Sequence, residues 1–183
     1  MWDREAATFD READHGLGDP ECRAAWRDLL LGALPAPPAR VADLGCGTGT
    51  LSLLLAEEGH AVTGVDFAPA MVDHARAKAG HLASFRVGDA AQPPLQPGTV
   101  DVVLCRHVLW ALPDPAAALQ RWIALLAPGG RLVLVEGRWH TGGGLTSVPT
   151  KVPDMNCARG TSPSCAVPTP TRWPMTPALP RRW

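Results

Sequence analysis

The sequence predicts an α/β fold, in which a mostly parallel β-sheet carries helices on both faces. Between residues 41 and 136, short apolar runs alternate with segments of helical character, as in repeated strand–helix–strand units. The run VVLC at residues 102–105 is apolar without interruption, which is typical of a strand covered on both faces. A glycine-rich loop at residues 45–49 separates the first strand from the next helix, where parallel sheets bind ligands.

The individual elements are predicted from turn and cap signals. A helix is expected over residues 20–34, because Asp19-Pro20 is a typical helix start and several prolines follow Leu34. Five strands are predicted, at residues 41–44, 61–66, 84–89, 99–105 and 131–136. Three connecting helices are predicted, at residues 51–58, 69–79 and 115–127. A Pro-Gly-Gly turn at 128–130 leads into the last strand.

Composition and charge argue against several classes of function. The 183 residues suit one domain with one core, and the net charge of −1 gives no general attraction to nucleic acid or to an anionic membrane. The apolar runs are shorter than the roughly 18 residues of a membrane span, and the charged N-terminus is unlike a secretory signal. The five cysteines form no CxxC pair, so we expect neither disulfides nor a metal site, and we expect a cytoplasmic protein.

The last part of the chain differs from the rest. Residues 141–183 hold 8 of the 19 prolines and five bases against one acid, and they show no sustained period of a helix or strand. A run of three glycines opens this stretch. Such a composition cannot build a packed core, so we predict that residues 141–183 form a largely disordered Pro/Thr-rich tail.

The glycine loop and a following acid predict a cofactor site. Glycines at positions 45, 47 and 49 allow a sharp turn and a close approach of a ligand, and the next helix offers free N–H groups. Asp66 stands about 20 residues on, at the end of the second strand, where such sheets hold a ribose. The alternatives are that the glycines only make a turn and that Asp66 caps the helix at Pro69. A dinucleotide fingerprint would have glycine at Thr50.

Four segments carry a resemblance to a known family. VADLGCGTGTLSLLLAEEGHAVTGVDFAPAMV resembles the first motif and its continuation in class I S-adenosylmethionine-dependent methyltransferases of the small-molecule type 11 kind. FRVGDAAQPPL resembles the family's third segment, and TVDVVLCRHVLWALPDPAAALQRWIALLAPGGRLVLVE resembles the fourth and fifth. The resemblance covers residues 38–138. It implies a Rossmann-like, doubly wound sheet of strand order 3-2-1-4-5 and S-adenosylmethionine as the cofactor.

The resemblance also implies roles for individual residues. The methionine part of the cofactor is expected among Asp43, Gly45, Cys46 and Gly47, with Arg106 near its amino-acid end. Asp66 is expected to hold the ribose, and the adenine is expected to meet Phe67, Met71, Asp89 and Ala90. Phe67 and Met71 have the alternative of plain core packing, and Asp89 that of capping a turn. Where the family often has Ser or Thr, Ala68 lacks a cap for the next helix.

Catalysis by such a site depends chiefly on holding the acceptor in line with the methyl–sulfur bond. A base helps only if the acceptor loses a proton, and His107 and His15 are the candidates. His107 is as readily explained by a hydrogen bond in its loop. Trp110 either lines the acceptor pocket or packs in the core. The stretch FDREADHGL resembles a leading segment of close relatives that closes over the cofactor, where Phe9, Asp10 and His15 would exclude water.

The tail bears on domain organisation. We expect a cofactor-binding domain over residues 1–140, whose residues 1–37 form a helical lid segment, followed by the tail. The resemblance stops at about residues 142–145, so the family's strands six and seven are expected to be missing. We hypothesise that the tail arose from a shifted reading frame in a GC-rich gene. If the tail is instead authentic, strand five is expected to be an exposed edge that invites a homodimer or aggregation.

Three functions follow. The first is S-adenosylmethionine-dependent methyl transfer to a small-molecule acceptor by in-line displacement. The second is a truncated remnant that binds the cofactor without turnover. The third is an NAD(P)-dependent oxidoreductase, against which Thr50 and the Pro-Gly-Gly turn argue. No nucleic acid, membrane or metal partner is expected.

Overall fold

The computed structural model describes residues 2–11 and 15–136, and these residues include a five-stranded sheet. Its strands are β1 (Arg40–Leu44), β2 (Ala61–Asp66), β3 (Ser84–Val87), β4 (Val100–Arg106) and β5 (Leu126–Val135). They lie in the order β3-β2-β1-β4-β5, and every neighbouring pair is parallel. The predicted α/β class and strand order are confirmed.

Helices flank this sheet. They are α1 (Trp2–Glu5), α2 (Pro20–Ala33), α3 (Thr50–Glu57), α4 (Pro69–Ala79) and α5 (Pro115–Leu125), with 3-10 turns at Phe9–Arg11 and Leu109–Ala111. The Asp-Pro starts act as predicted, since Asp19 accepts the Cys22 N–H at 2.7 Å and Asp114 accepts the Ala117 N–H at 2.9 Å.

The two faces of the sheet bury different clusters. Alternate residues of a strand point to opposite faces, so Val41 packs with leucines of α2 and α3 while Ala42 packs with α5. Trp122 of α5 is fully buried, and its indole N–H donates to the Ala90 carbonyl at 2.7 Å. Helices on both faces hold the carboxyl ends of the strands in place, and the predicted site lies at that end.

The amino end of the sheet is tied by one side-chain pair. The Arg40 guanidinium at the start of β1 donates to both carboxylate oxygens of Asp101 in β4, at 3.0 and 2.7 Å. The Arg40 backbone N–H adds a third bond at 2.8 Å. These hydrogen bonds lower the pKa of Asp101 to about 2.

Some predicted boundaries differ from the structure. β3 ends at Val87 rather than at residue 89, so Asp89 lies in the following loop. α5 ends at Leu125, and Leu126 already pairs with Val100 of β4, ahead of an irregularity in the register. Residues 127–130 therefore interrupt the pairing rather than precede it.

The predictions for residues 141–183, including the disordered tail, the missing strands six and seven and the frameshift, lie outside the described residues. The same holds for the domain boundary at residue 140. Among the described helices, none has the length and apolar character that a bilayer crossing requires.

Candidate functional site

The glycine loop leaves the carboxyl end of β1 and is bound to the neighbouring strand. The N–H groups of Gly45 and Cys46 both donate to the Val65 carbonyl of β2, at 2.7 and 3.1 Å. The three loop glycines have positive φ angles, of 74° at Gly45, 54° at Gly47 and 73° at Gly49. A side chain would strain each of these conformations.

The glycines also differ in what lies next to them. A Cβ at Gly45 would come within 2.2 Å of Val108, so this glycine lets the loop after β4 pack against it. A Cβ at Gly47 would meet the ring of Phe9 at 3.4 Å. Gly45 thus serves packing within the protein, while Gly47 presents bare backbone beneath an aromatic ring.

Asp66 joins the end of β2 to this loop. One carboxylate oxygen accepts the Gly47 N–H and the other accepts the Ala68 N–H, each at 2.9 Å. The side chain is 7% exposed, and burial raises its pKa. The Phe67 backbone N–H is a third donor to this carboxylate, so one of its roughly four acceptor positions remains. Asp66 is not the N-cap residue of α4, which is Ala68, so the helix-cap alternative is wrong. Asp66 instead accepts the backbone N–H of that N-cap residue.

Asp43 forms the charged floor of the site. It is 2% exposed, and the Ser52 hydroxyl of α3 donates to it at 2.6 Å. Burial raises the pKa of Asp43 to about 6, against the opposing effects of Ser52 and of the Arg106 charge. Arg106, at the end of β4, stands over the Trp26 ring of α2 at 5.1 Å. Asp43 and Arg106 therefore place an anion and a cation at the carboxyl ends of the neighbouring strands β1 and β4.

The two predicted apolar contacts of the adenine differ in exposure. Phe67 is 60% exposed, so core packing does not explain it. Met71 is 2% exposed and packs with Ala6 and Ala68, so the core alternative describes this side chain.

The segment after β3 contributes the remaining predicted contacts. Asp89 accepts the Ala91 N–H at 2.8 Å, so it does cap a turn, as its alternative predicted. Ala90 is buried against α5. The structure therefore brings Asp43, Asp66 and the glycine loop together. Asp89 follows β3, the edge strand on the far side of β2 from β1.

His107 follows β4 in an unusual conformation. Its φ is 58°, in the left-handed region, which costs energy for a residue with a Cβ and is often found at functional sites. Its backbone N–H donates to Val135 at 2.9 Å, and its carbonyl accepts the Trp110 indole N–H at 2.8 Å. Trp110 is 59% exposed, so its core alternative is wrong. This turn is held rigidly and presents an aromatic ring at the surface.

The cysteines and His15 have limited chemical roles here. Burial raises the pKa of the Cys46 thiol strongly and that of Cys105 to about 12, so both thiols stay protonated. His15 stacks on Phe9 with ring centroids 4.1 Å apart. Phe9 in turn meets Trp2 edge-on at 6.3 Å. His15 thus belongs to an aromatic cover beside the loop.

Sequence reasoning missed a set of polar contacts around the loop. Lys78 of α4 lies 2.5 Å from Asp10, and its ammonium donates to Thr48 and Thr50 at 3.2 and 3.0 Å. Asp10 also bonds the Thr48 hydroxyl. Thr48 lies in the glycine loop and Thr50 begins α3, but no local pattern pairs them with positions 28 to 40 residues away.

The chain was compared with known proteins. Residues 42–134, half of the chain, match the sequence model of a family described as a methyltransferase domain. The ubiquinone biosynthesis O-methyltransferase of Xylella fastidiosa is 39% identical over 110 residues, which are 57% of this chain and 44% of that protein. The chain thus spans less than half the length of this curated relative.

Solved structures show the same fold. An S-adenosylmethionine dependent methyltransferase from Mesorhizobium loti has a TM-score of 0.55 and 27% identity, covering 58% of this chain and 51% of its own. Phosphoethanolamine N-methyltransferase 1 of Haemonchus contortus, solved with phosphoethanolamine and S-adenosylhomocysteine, has a TM-score of 0.61. It shares 23% identity and covers 73% of this chain and 30% of its own, a likeness in fold.

Proposed function

This chain belongs to the methyltransferase-domain family, and from that premise we propose that it transfers a methyl group to a small-molecule acceptor. Its cofactor is S-adenosylmethionine. The observation that best supports the proposal is Asp66, a buried carboxylate at the end of β2 that is bound to the glycine loop through the Gly47 N–H. A carboxylate at this point can accept a hydrogen bond from a ribose hydroxyl.

The residues present fit the rest of the cofactor. The carboxylate of Asp43 and the guanidinium of Arg106 lie at one end, and they complement the ammonium and carboxylate of an amino acid. The Phe9 ring covers the bare backbone at Gly47, where an added Cβ would meet the ring at 3.4 Å. We assign this end of the crevice to the methionine part, held among Asp43, Gly45, Cys46, Gly47 and Arg106.

We assign the other end to the adenosine. Asp66 holds the ribose, and the exposed face of Phe67 covers the adenine. Met71 supports that end from within the core. Asp89 and Ala90 stand at the next strand, where they meet the adenine edge. The turn that binds Asp89 to Ala91 leaves its second carboxylate oxygen to accept from an exocyclic amine.

Bound S-adenosylmethionine supplies a methyl group that is already activated on a sulfonium sulfur. What the chain adds is position, because the acceptor atom must lie in line and roughly 3–3.5 Å from the methyl carbon. The rigid turn from His107 to Trp110 packs on Gly45 through Val108, so it faces the methionine end. We propose that Trp110 lines the acceptor side of the crevice.

His107 is our candidate for the general base that takes a proton from the acceptor. Its strained backbone fixes the ring's attachment at the end of β4, next to the proposed methionine site. His15 is the weaker candidate, since its ring stacks on Phe9 and serves to exclude water. A base is required only for acceptors that must lose a proton, such as a hydroxyl.

The class of acceptor rests on the relatives. The X. fastidiosa relative is named for O-methylation in ubiquinone biosynthesis, and the H. contortus structure holds phosphoethanolamine. Both names point to small acceptors, which supports the proposed small-molecule class. A homodimer through β5, which is an edge of the described sheet, and a cytoplasmic location stay predictions.

The test is turnover. Purified protein is incubated with S-adenosylmethionine and a panel of phenols, amines and thiols, and S-adenosylhomocysteine is measured. We expect acceptor-dependent product that falls at least tenfold in His107→Ala for hydroxyl acceptors, while Asp73→Asn, an exposed change on α4, leaves it unaltered. Cofactor binding with no product from any acceptor would favour the truncated remnant. Binding of NAD(P) in place of S-adenosylmethionine would favour the oxidoreductase.

A further inference from the structure

The first residues of the chain lie across the elements that form the proposed site. We call residues 2–11, which comprise α1 and the 3-10 turn, the N-terminal strap. The strap packs on α4 through Ala6, which is buried in one cluster with Ala68 and Met71. It has polar anchors at both ends, Asp3 near the start of α4 and Asp10 near its last turn.

The carboxylate of Asp3 supplies the N-terminal cap that α4 lacks. The N-cap residue of this helix is Ala68, whose side chain has no acceptor for the free N–H groups of the first turn. Pro69 takes the first helical position and has no N–H. The Asp3 carboxylate accepts the N–H of Ala70 at 2.9 Å. An N-cap serine or aspartate would bond the N–H at this same second position or at the third.

The capped turn is the one that carries Asp66. The Asp66 carboxylate binds the N–H of Ala68, two residues before the N–H that Asp3 binds. The exposed ring of Phe67 lies between Asp66 and Ala68 in sequence. The chain from 66 to 70 is thus held by one carboxylate of its own and by one from the strap.

The second anchor acts on the other side of Asp66. Asp10 bonds Thr48 in the glycine loop and pairs with Lys78 of α4. The neighbouring loop residue, Gly47, donates its N–H to Asp66. The strap therefore bridges both segments that hold the Asp66 carboxylate in place.

We propose that Asp3 is a positioning residue that caps α4 from the strap, so that closing the strap and ordering the turn at residues 66–70 are one event. The proposal rests on the proposed function only for its consequence, that this turn holds the cofactor's ribose. A strap that leaves α4 uncaps the helix next to Asp66. The ribose site is then complete only beneath a closed strap.

The first test uses protein without cofactor, so that it is independent of function. Hydrogen exchange is followed for the strap and for residues 66–72 in Asp3→Ala, Ala68→Ser and the double variant. Glu5→Ala is the matched control, because it removes an acid from the same helix while the backbone carbonyl of Glu5, which accepts from Thr8, stays in place. We expect Asp3→Ala to speed exchange in both segments about fivefold, the loss of one cap.

The double variant separates coupling from simple stability. The hydroxyl that Ala68→Ser introduces gives α4 a local cap, so residues 66–72 should regain their protection while the strap stays fast. Exchange of residues 66–72 within twofold of the wild type in Asp3→Ala would overturn the proposal. So would an equal change in Glu5→Ala.

The consequence for the cofactor is measured separately. Dissociation of S-adenosylmethionine is followed by stopped flow, and we expect it to be about fivefold faster in Asp3→Ala and unchanged in Glu5→Ala. Unchanged dissociation in Asp3→Ala would contradict the link to the ribose site. Coupled exchange together with no binding by the wild type would support the cap and contradict the proposed function.

Discussion

The two ends of β1 place aspartates in opposite electrostatic settings. At the amino end, three hydrogen bonds from Arg40 lower the pKa of Asp101 to about 2. At the carboxyl end, burial raises the pKa of Asp43 to about 6, although Ser52 donates to it. The ionised form of Asp101 is stabilised by folding, whereas the ionised form of Asp43 is destabilised by its burial. This difference agrees with our proposal that the charge at the carboxyl end serves a ligand.

The largest effect is expected from Asp43→Asn. The substitution removes the charge that we assign to the cofactor's ammonium group, so the affinity for S-adenosylmethionine should fall roughly 10- to 100-fold. Thermal stability should not fall, because a buried carboxylate with a raised pKa is replaced by a neutral group. Calorimetry and thermal unfolding measure the two effects. A loss of stability with unchanged affinity would mean that Asp43 stabilises the fold and does not bind the cofactor.

The pH dependence of binding sharpens the same comparison. Asp43 takes up a proton as the pH falls through about 6, so the affinity for S-adenosylmethionine should drop about tenfold per unit below that value. Ser52→Ala removes the hydroxyl that lowers the pKa of Asp43, and the midpoint should move to higher pH. A titration at several pH values measures both. A midpoint that is identical in Ser52→Ala would contradict the assignment to Asp43.

A smaller effect is expected from Phe67→Ala. The ring is mostly exposed, so its loss should leave the unfolding temperature unchanged. Affinity for S-adenosylmethionine should fall about fivefold through lost stacking on the adenine. Leu82→Ala, which removes an exposed apolar side chain after α4, is the matched control for binding. Equal affinities of the two variants would remove Phe67 from the site.

The smallest effect on cofactor binding is expected from a substitution at the amino end of the sheet. Asp101→Ala should lower the unfolding temperature by a few degrees and leave the affinity for S-adenosylmethionine unchanged. The pKa of Asp101 is lowered in the folded protein, so its stabilisation is present above about pH 4 and is lost as the pH falls towards about 2. Denaturant unfolding from pH 2 to 7 should show the variant and wild type converging at the acidic end.

Asp43 should show the opposite trend in the same experiment. Its raised pKa means that the folded protein holds this proton more tightly than the unfolded chain does. Its contribution to stability is therefore full below about pH 4 and is lost as the pH rises through about 6. The stability of Asp43→Asn relative to the wild type should grow across that interval, and a constant difference would contradict the raised pKa.

The sequence predicted those features that depend on neighbouring residues. The strands, their order and the starts at Asp19 and Asp114 follow from periodicity, resemblance and cap chemistry. The boundary between α5 and β5 was misplaced, because residues 127–130 turn within a strand pair rather than before it. The strand assignment there depends on register with β4, which no local pattern encodes.

The candidate site was predictable only in part. The loop and Asp66 follow from spacing. The sequence could not decide between ligand contact and core packing for Phe67 and Met71, because both are apolar and only the fold exposes one and buries the other. Asp3 and Lys78 gave no signal, since their partners lie 67 and 28 to 30 residues away. Side-chain contacts over such separations are set by the tertiary fold, and the roles assigned to the site residues stay predictions.

The most direct measurement is a calorimetric titration of the full chain with S-adenosylmethionine, beside Asp66→Asn and Asp73→Asn. Both variants lose one carboxylate near α4, but Asp66 holds the glycine loop and Asp73 pairs with Arg76 on the surface. We predict micromolar binding that Asp73→Asn preserves and that Asp66→Asn weakens at least tenfold in a folded protein. Equal binding by both variants, or none by the folded wild type, would contradict the assignment of this crevice to the cofactor.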